Sequence, residues 1–242
     1  MSCRQMIDKS SPNTDENKVR IITQILTSAI KLWLRTQLNQ VSDLDVQIKA
    51  SDRQLVFGYI PGVSICANKA VYKGLHIKEI ELDAEKIQLN VSSILRGKPL
   101  KLSGIVPVVG KLIVEEQDLD NSLSSPLLLT AISDLLTTLL PQSELNSQSL
   151  TWRKITFDNQ LLILHGKTTF DGQETFFNIH LGLKLLNGQE LQFTQVEVKG
   201  DRGVVLERFA CEIINLGTDV DIQEISLQPG RLTCYGRINI NP

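Results

Sequence analysis

Residues that could carry out chemistry are few in this sequence and are not grouped. The three histidines are His76, His165 and His180. None belongs to an H-x-H or H-E-x-x-H pattern, which would direct two ring nitrogens at one metal ion. His180 alternates with Ile179 and Leu181 along a predicted strand, so it falls on the polar side of that strand. We therefore expect solvated histidines and no metal site.

The carboxylates are plentiful, but their positions indicate structural roles. Glu115 and Glu116 adjoin a predicted helix start, where negative charge is stabilising. Glu81, Asp83 and Glu85 occupy the polar side of a predicted strand. General acid–base catalysis needs two carboxyl groups in different environments, and no spacing here demands that. No G-x-S-x-G elbow, Walker loop or G-x-G-x-x-G fingerprint occurs. The sequence predicts no catalytic residue, no cofactor and no enzymatic activity.

The four cysteines, at positions 3, 66, 211 and 234, are far apart and form no C-x-x-C pair. We expect scattered thiols rather than a metal or redox motif. The net charge of −2 gives no global attraction for nucleic acid, so we predict no nucleic-acid partner. Aromatic residues make up 5% and hydrophobic residues 42% of the chain, so aliphatic side chains dominate. They suit a core of packed strands, and they equally suit a cavity for alkyl chains.

One long helix is predicted from Lys18 to about Val41. At 100° per residue its apolar side chains cover about half of the circumference, while the opposite side is basic and contains no acidic residue. One interpretation packs the apolar half on a sheet and leaves the basic side in solvent. The other places the helix at a membrane surface, with Trp33 and the Lys/Arg stripe in contact with lipid.

The rest of the chain predicts an α+β fold. Period-two alternation predicts many strands joined by tight turns, so antiparallel pairing is favoured. Further helices are predicted near 118–140 and at 204–216. We expect a curved antiparallel sheet wrapped around the long N-terminal helix. Residues 1–17 read as a disordered tail, and 18–242 as a single domain of two similarly ordered halves, about 18–141 and 150–242.

The sequence predicts no secretory signal and no membrane-spanning segment. Residues 1–17 are polar and lack an apolar segment, so no secretory signal is expected. No stretch approaches the roughly 20 apolar residues that a spanning helix needs. We expect a cytoplasmic protein that is peripheral on a membrane face.

Several short segments share the pattern of one known family. They are Asp52-Arg53-Gln54-Leu55 with Gly58-Tyr59-Ile60-Pro61-Gly62-Val63, Val71-Tyr72-Lys73-Gly74-Leu75-His76, Leu95-Arg96-Gly97-Lys98-Pro99-Leu100, and Asp118-Leu119-Asp120 with Ser124-Ser125-Pro126-Leu127-Leu128. Together they resemble the LmeA-like phospholipid-binding family, in the branch found in photosynthetic bacteria. The similarity covers roughly residues 18 to 240. It implies phospholipid binding and a fold similar to tubular lipid-binding proteins, in which a curved sheet cradles a long helix. These segments are turn and packing patterns, and no ligand-contacting residues can be transferred.

The resulting hypothesis is a non-catalytic protein that holds acyl chains in an aliphatic groove between the long helix and the sheet. The predicted groove residues are Ile22, Ile25, Ala29, Trp33, Ile80, Leu82, Leu89, Leu181 and Leu183. The predicted head-group or membrane-surface residues are Arg20, Lys31, Arg35, Arg96, Lys98 and Lys101. The predicted partner is phospholipid or a membrane surface. The alternative is a scaffold or assembly protein whose groove binds the helix of a protein partner.

Overall fold

The computed structural model describes residues 21–89, 102–139, 150–170, 173–201, 203–209 and 212–242. The predicted tail at 1–17 lies outside these residues. The elements are, in chain order, α1 (Ile21–Gln37), β1 (Asp43–Lys49), α2 (Asp52–Val56), β2 (Tyr59–Tyr72), β3 (Leu75–Gln88), β4 (Val106–Glu115), α3 (Glu116–Asn121), α4 (Pro126–Leu139), β5 (Thr151–Asp158), β6 (Leu161–Phe170), β7 (Gln173–Asn187), β8 (Glu190–Gly200), β9 (Gly203–Phe209), β10 (Ile213–Asn215), β11 (Val220–Gln228) and β12 (Arg231–Ile240).

The first sheet has six antiparallel strands in the order β1-β2-β3-β4-β12-β11. Tight turns set this order. Lys73 and Gly74 both have positive φ, 48° and 80°, as a two-residue hairpin loop between β2 and β3 requires. The last two strands of the chain return to this sheet and pair through β12 with β4.

Along β3, the alternation of apolar and polar side chains shifts by one residue. Ile80, Leu82 and Ala84 share one face, and Ile87 joins the same core although it lies at an odd number of residues from them. Lys86, between the two runs, has a positive φ of 55°. This local twist returns the following apolar residue to the inner face. The phase change visible in the sequence therefore marks an irregularity inside one strand.

The second sheet also has six strands, in the order β10-β8-β7-β6-β5, with β9 also paired to β8. The turn at Asn187-Gly188 joins β7 to β8, as this dipeptide favours between two strands. The one-sided strand predicted around Leu181 is confirmed. Ile179 and Leu181 are 2% and 0% exposed in the core of this sheet.

Each sheet has its own core and its own helix. Leu26, Ile30 and Leu34 of α1 pack against the core of the first sheet. Ile132, Leu136 and Leu139 of α4 are buried in the core of the second sheet. The residues that the structure describes do not confirm a sheet wrapped around α1. The arrangement is mainly β, with one helix packed on each of two antiparallel sheets, rather than α+β as predicted.

The helix predicted at 204–216 is wrong. Its described residues form β9 and β10, which pair with the two halves of β8. Val198 lies opposite Leu206, and Leu191 lies opposite Ile214. Short apolar runs fit either periodicity, and here strand pairing decides.

The long N-terminal helix ends at Gln37, before the predicted Val41. The backbone of the next residues turns to pair with β2 instead. The Asn39 amide donates to the Val71 carbonyl at 2.8 Å, and the Val71 amide donates to the Gln40 carbonyl at 2.8 Å. These strand-type bonds stop the helix because they use donors and acceptors that another helical turn would need.

The short helix α3 connects the two sheets. The Glu116 Oε1 and Asp120 Oδ1 atoms accept hydrogen bonds from the backbone amides of Phe157 and Ile155 in β5, at 2.7 and 3.2 Å. On the other side, the Ser122 hydroxyl accepts a hydrogen bond from the His76 amide in β3 at 2.7 Å. Ser122 is fully buried. The connection therefore consists of specific hydrogen bonds that satisfy backbone groups on both sheets.

Candidate functional site

One face of the first sheet is apolar across all six strands. Residues directly opposite each other in neighbouring strands share a face. One such row runs from Val46 through Ile65, Leu82, Gly110 and Gly236 to Ile222. The next row runs from Leu44 through Ala67, Ile80, Leu112 and Cys234 to Ile225. The opposite face carries Glu81, Lys111 and Tyr235 in one row, so it is polar.

The cover over this apolar face is uneven. Near β1 it is complete, and Val46 is 2% exposed beneath α1. Val106 and Val108 in β4 are each 4% exposed. Their direct partners in β12, Ile240 and Ile238, are 43% and 45% exposed. At this end of the two strands, protein cover therefore ends between β4 and β12.

We call the partly exposed part of this surface the open aliphatic face. Its residues are Ile80, Leu82, Leu112, Ile222, Ile225, Cys234 and Ile238. In the middle of it, Gly110 lies opposite Gly236, so two neighbouring positions have no side chain. Leu82 lies over Gly110, where a Cβ atom would be 2.9 Å from Leu82 Cδ2. The surface is aliphatic, which suits alkyl chains.

α1 borders the open aliphatic face on one side. Lys31 Nζ binds Asp45 Oδ1 at 2.9 Å, which fixes the side of α1 that faces the edge strand β1. This hydrogen bond to Lys31 lowers the pKa of Asp45. Ala29 lies about 160° around the helix from Lys31, at 100° per residue. The side of α1 that carries Ile25, Ala29 and Trp33 therefore faces away from the β1 edge.

A second recess lies where the two sheets approach each other. The Gln160 amide donates to the Leu227 carbonyl at 3.2 Å, and the Ile222 amide donates to the Gly188 carbonyl at 2.7 Å. Between these bonds a cleft of about 460 Å³ is lined by Leu183 and Lys184 of β7 and by residues 225–228 of β11. Ile225 belongs both to this cleft and to the open aliphatic face.

The predicted groove residues are divided among three places. Ile25, Ala29 and Trp33 are exposed on α1, while Ile80, Leu82 and Leu89 are partly buried on the first sheet. Leu181 is 0% exposed and Leu183 packs beside it in the core of the second sheet. Ile22 lies in α1, and its side chain is outside the described part of the structure. The predicted groove residues therefore lie on α1, on the first sheet and in the core of the second sheet.

The predicted head-group residues also differ in their surroundings. Lys31 is held by Asp45, whereas Arg35 is exposed at the end of α1. Arg20, Arg96, Lys98 and Lys101 lie outside the described residues. The prediction missed Leu112, Ile222, Ile225 and Ile238. Their signal was the alternation along the strands predicted at 106–114, 220–227 and 232–240, but alternation alone does not show which strands lack cover.

Among the described residues, the histidine and cysteine side chains lie away from the open aliphatic face, with the exception of Cys234. His165 lies in mid-strand and connects Thr156 Oγ1, 2.9 Å from Nε2, to Asn178 Oδ1, 2.8 Å from Nδ1. Burial, followed by the charge of Lys199, lowers the pKa of His180. The exception is Cys234, a free thiol whose pKa is raised by burial. Burial that favours the neutral thiol disfavours a nucleophilic role.

The expectation of unpaired thiols is wrong for Cys66, which is disulfide-bonded. It lies opposite Glu81 on the polar face of the first sheet, away from the open aliphatic face. Within the described ranges, no group of three or more His, Cys, Asp or Glu side chains is arranged to hold a metal ion.

The model of one protein family matches this chain over residues 18–237, which is nearly its whole length. The chain belongs to the LmeA-like phospholipid-binding family. The resemblance predicted from short segments is thereby confirmed. A search of curated proteins and a search of solved structures found no match. None of the helices in the described part of the chain is both long enough and apolar enough to cross a bilayer.

The structure gives physical roles to two of the segments that carry the family resemblance, while residues 95–100 lie outside the described residues. Asp52 to Leu55 form α2, which begins with a capping box between Ser51 and Gln54. The Ser125 hydroxyl of the Ser-Ser-Pro segment donates to the Lys73 carbonyl at 2.9 Å, beside the β2–β3 turn. These segments of this family member cap helices and join turns.

Proposed function

We propose that this member of the LmeA-like family is a non-catalytic phospholipid-binding protein that holds acyl chains on the open aliphatic face. The observation that carries the proposal is the contrast between paired residues of one face. Val108 is 4% exposed, while its partner Ile238 is 45% exposed. Because α1 covers only part of this apolar face, another apolar molecule can pack on the rest. Each methylene that it buries contributes about 0.8 kcal/mol.

The acyl chains would lie across β3, β4, β12 and β11, beside α1. The polar head group would remain at the rim, where Arg35 is exposed. The protein-binding alternative uses the same surface, because the apolar side of a partner helix has similar chemistry. Membership of a phospholipid-binding family favours lipid. The cytoplasmic location expected from the sequence stays a prediction, which cell fractionation would test.

The test compares two lysine substitutions on opposite faces of β12. Ile238→Lys introduces an ammonium group into the open aliphatic face, and Tyr235→Lys introduces the same charge on the polar face. Both residues are exposed, at 45% and 38%, so both variants should fold. We expect Ile238→Lys to reduce co-purifying phospholipid about tenfold or more, because an unpaired charge against acyl chains costs more than about 1.4 kcal/mol.

Phospholipid is measured by native mass spectrometry and by lipid extraction of the purified protein. Tyr235→Lys should retain the wild-type amount. Equal phospholipid in the two variants would place the lipid elsewhere. Wild-type protein that carries no phospholipid and takes none from vesicles would exclude the function and favour a protein partner.

A further inference from the structure

Exposed apolar side chains concentrate on the side of α1 that faces away from the β1 edge. Ile25, Leu32 and Trp33 are 64%, 67% and 59% exposed. Each lies three or four residues from Ala29, so the three side chains form one stripe. The stripe borders Leu26, Ile30 and Leu34, which pack against the core of the first sheet. Packing of α1 on the first sheet therefore buries only part of the apolar surface of this helix.

The second helix also carries exposed apolar side chains. Val56, the last residue of α2, is 57% exposed, and Phe57 in the following turn is 75% exposed. Thr23 Oγ1 donates to Asp52 Oδ1 at 2.9 Å, which holds the start of α2 against the first turns of α1. Both helices bury their other side in the same core, through Leu26 and Leu55. We call Ile25, Leu32, Trp33, Val56 and Phe57 the docking surface.

Two cations flank the docking surface. Arg35 lies on α1 and Arg53 on α2, and both are exposed. In the described part of the chain, no ion pair joins either guanidinium group to a carboxylate. Exposed Leu, Phe and Trp next to free Arg side chains match the chemistry of a bilayer surface, where tryptophan sits at head-group level and arginine meets phosphate.

We propose that the docking surface binds an anionic phospholipid bilayer. Leu32, Trp33 and Phe57 enter the interfacial layer, and Arg35 and Arg53 contact the head groups. The inference rests on the proposed function, since it brings the α1 side of the open aliphatic face next to the lipid it would take. It also names the class of lipid, because the flanking charges are both positive.

The test measures binding of the full chain to vesicles of phosphatidylcholine with about a third phosphatidylglycerol, compared with phosphatidylcholine alone. Leu32→Glu and Phe57→Glu should each weaken binding to the anionic vesicles about tenfold, as expected for the loss of one inserted apolar side chain and the addition of one negative charge. Leu129→Glu is the matched control, since Leu129 is an exposed leucine on α4 at 38%. It should bind as the wild type does.

The charge reversal Arg35→Glu with Arg53→Glu should reduce binding to the anionic vesicles and remove the difference between the two vesicle types. Wild-type protein that binds neither vesicle would overturn the proposal. Leu32→Glu or Phe57→Glu protein with wild-type affinity would overturn it too.

Tryptophan fluorescence gives a second readout that adds no charge to the docking surface. The chain has two tryptophans, Trp33 and Trp152, so Trp152→Phe leaves Trp33 as the reporter. Trp33 should shift to shorter wavelength on anionic vesicles and be quenched by brominated acyl chains. Bound vesicles without quenching would overturn the proposal, because another surface would then hold the bilayer.

Vesicle binding by the docking surface and phospholipid binding by the open aliphatic face can be lost separately. Leu32→Glu should lose vesicle binding and keep co-purified phospholipid, whereas Ile238→Lys should lose co-purified phospholipid and keep vesicle binding. Loss of both properties in each variant would show a single site, which contradicts a docking surface distinct from the lipid-holding face.

Discussion

Glu115 shows how a carboxylate in this protein serves structure rather than catalysis. It ends β4 and precedes α3, and its carboxylate binds Lys78 Nζ at 3.1 Å and Arg231 Nη2 at 3.2 Å. These partners come from β3 and β12, the two strands that flank β4. The hydrogen bond from Lys78, followed by that from Arg231, lowers the pKa of Glu115. The ion pairs therefore stabilise the folded state only while Glu115 is ionised.

A pH-dependent loss of stability follows from this residue. Because the pKa of Glu115 is lower in the folded than in the unfolded chain, its contribution is present above the unfolded pKa and is lost as the pH falls through the folded pKa. Glu115→Gln should lower the free energy of unfolding at pH 7 by about 1 kcal/mol, and the difference from wild type should shrink below about pH 4. Urea denaturation at both pH values measures this.

The control for that prediction is Glu224→Gln, an exposed carboxylate on β11. It should change the free energy of unfolding by less than about 0.5 kcal/mol at either pH. A Glu115→Gln protein that is equally destabilised at acidic and neutral pH would show that side-chain packing, and not the charge, is responsible.

Among the elements, α3 has a role out of proportion to its six residues. β5 is the edge strand of the second sheet, so its outward amides have no strand partner there. The carboxylates of Glu116 and Asp120 accept hydrogen bonds from two of these amides. α3, which follows β4 of the first sheet, therefore supplies hydrogen-bond acceptors to the edge strand of the second sheet.

Removing one of these carboxylates should weaken the connection. Glu116→Ala leaves the Phe157 amide without its acceptor and should lower the free energy of unfolding by about 1.5–3 kcal/mol. Gln117→Ala, on the exposed side of the same helix, should cost less than about 0.5 kcal/mol. Chemical denaturation compares the two, and hydrogen exchange should show faster exchange of the Phe157 amide in Glu116→Ala alone. Unchanged exchange there would contradict this role of α3.

Periodicity predicted most elements because it depends on local burial. It correctly predicted α4 and the one-sided β7, where the buried side repeats regularly. It failed at β9 and β10, because pairing with β8 is a contact between residues distant in sequence. It also missed α2, although Ser51 and Gln54 carry the spacing of a capping box. The sequence could indicate aliphatic strands, but not which of them α1 covers.

Viewed as a whole, the molecule uses similar aliphatic strands in two ways. In the second sheet α4 covers them, and Leu181 is 0% exposed. In the first sheet α1 covers one side, and Ile238 is 45% exposed on the other. Because both sheets have the same kind of apolar face, the difference lies in the cover provided by their helices. A covered face stabilises the fold, and a partly covered face can also bind a ligand.

The most direct test of acyl-chain binding on the open aliphatic face is photo-crosslinking with a phospholipid that carries a diazirine in its acyl chain. After irradiation and digestion, mass spectrometry locates the adducts. We predict adducts in peptides of β4, β11 and β12, including Ile238, and loss of these adducts in Ile238→Lys but not in Tyr235→Lys. Adducts confined to β6 and β7 around Leu181, or a labelling pattern the same as that of unfolded protein, would contradict the account.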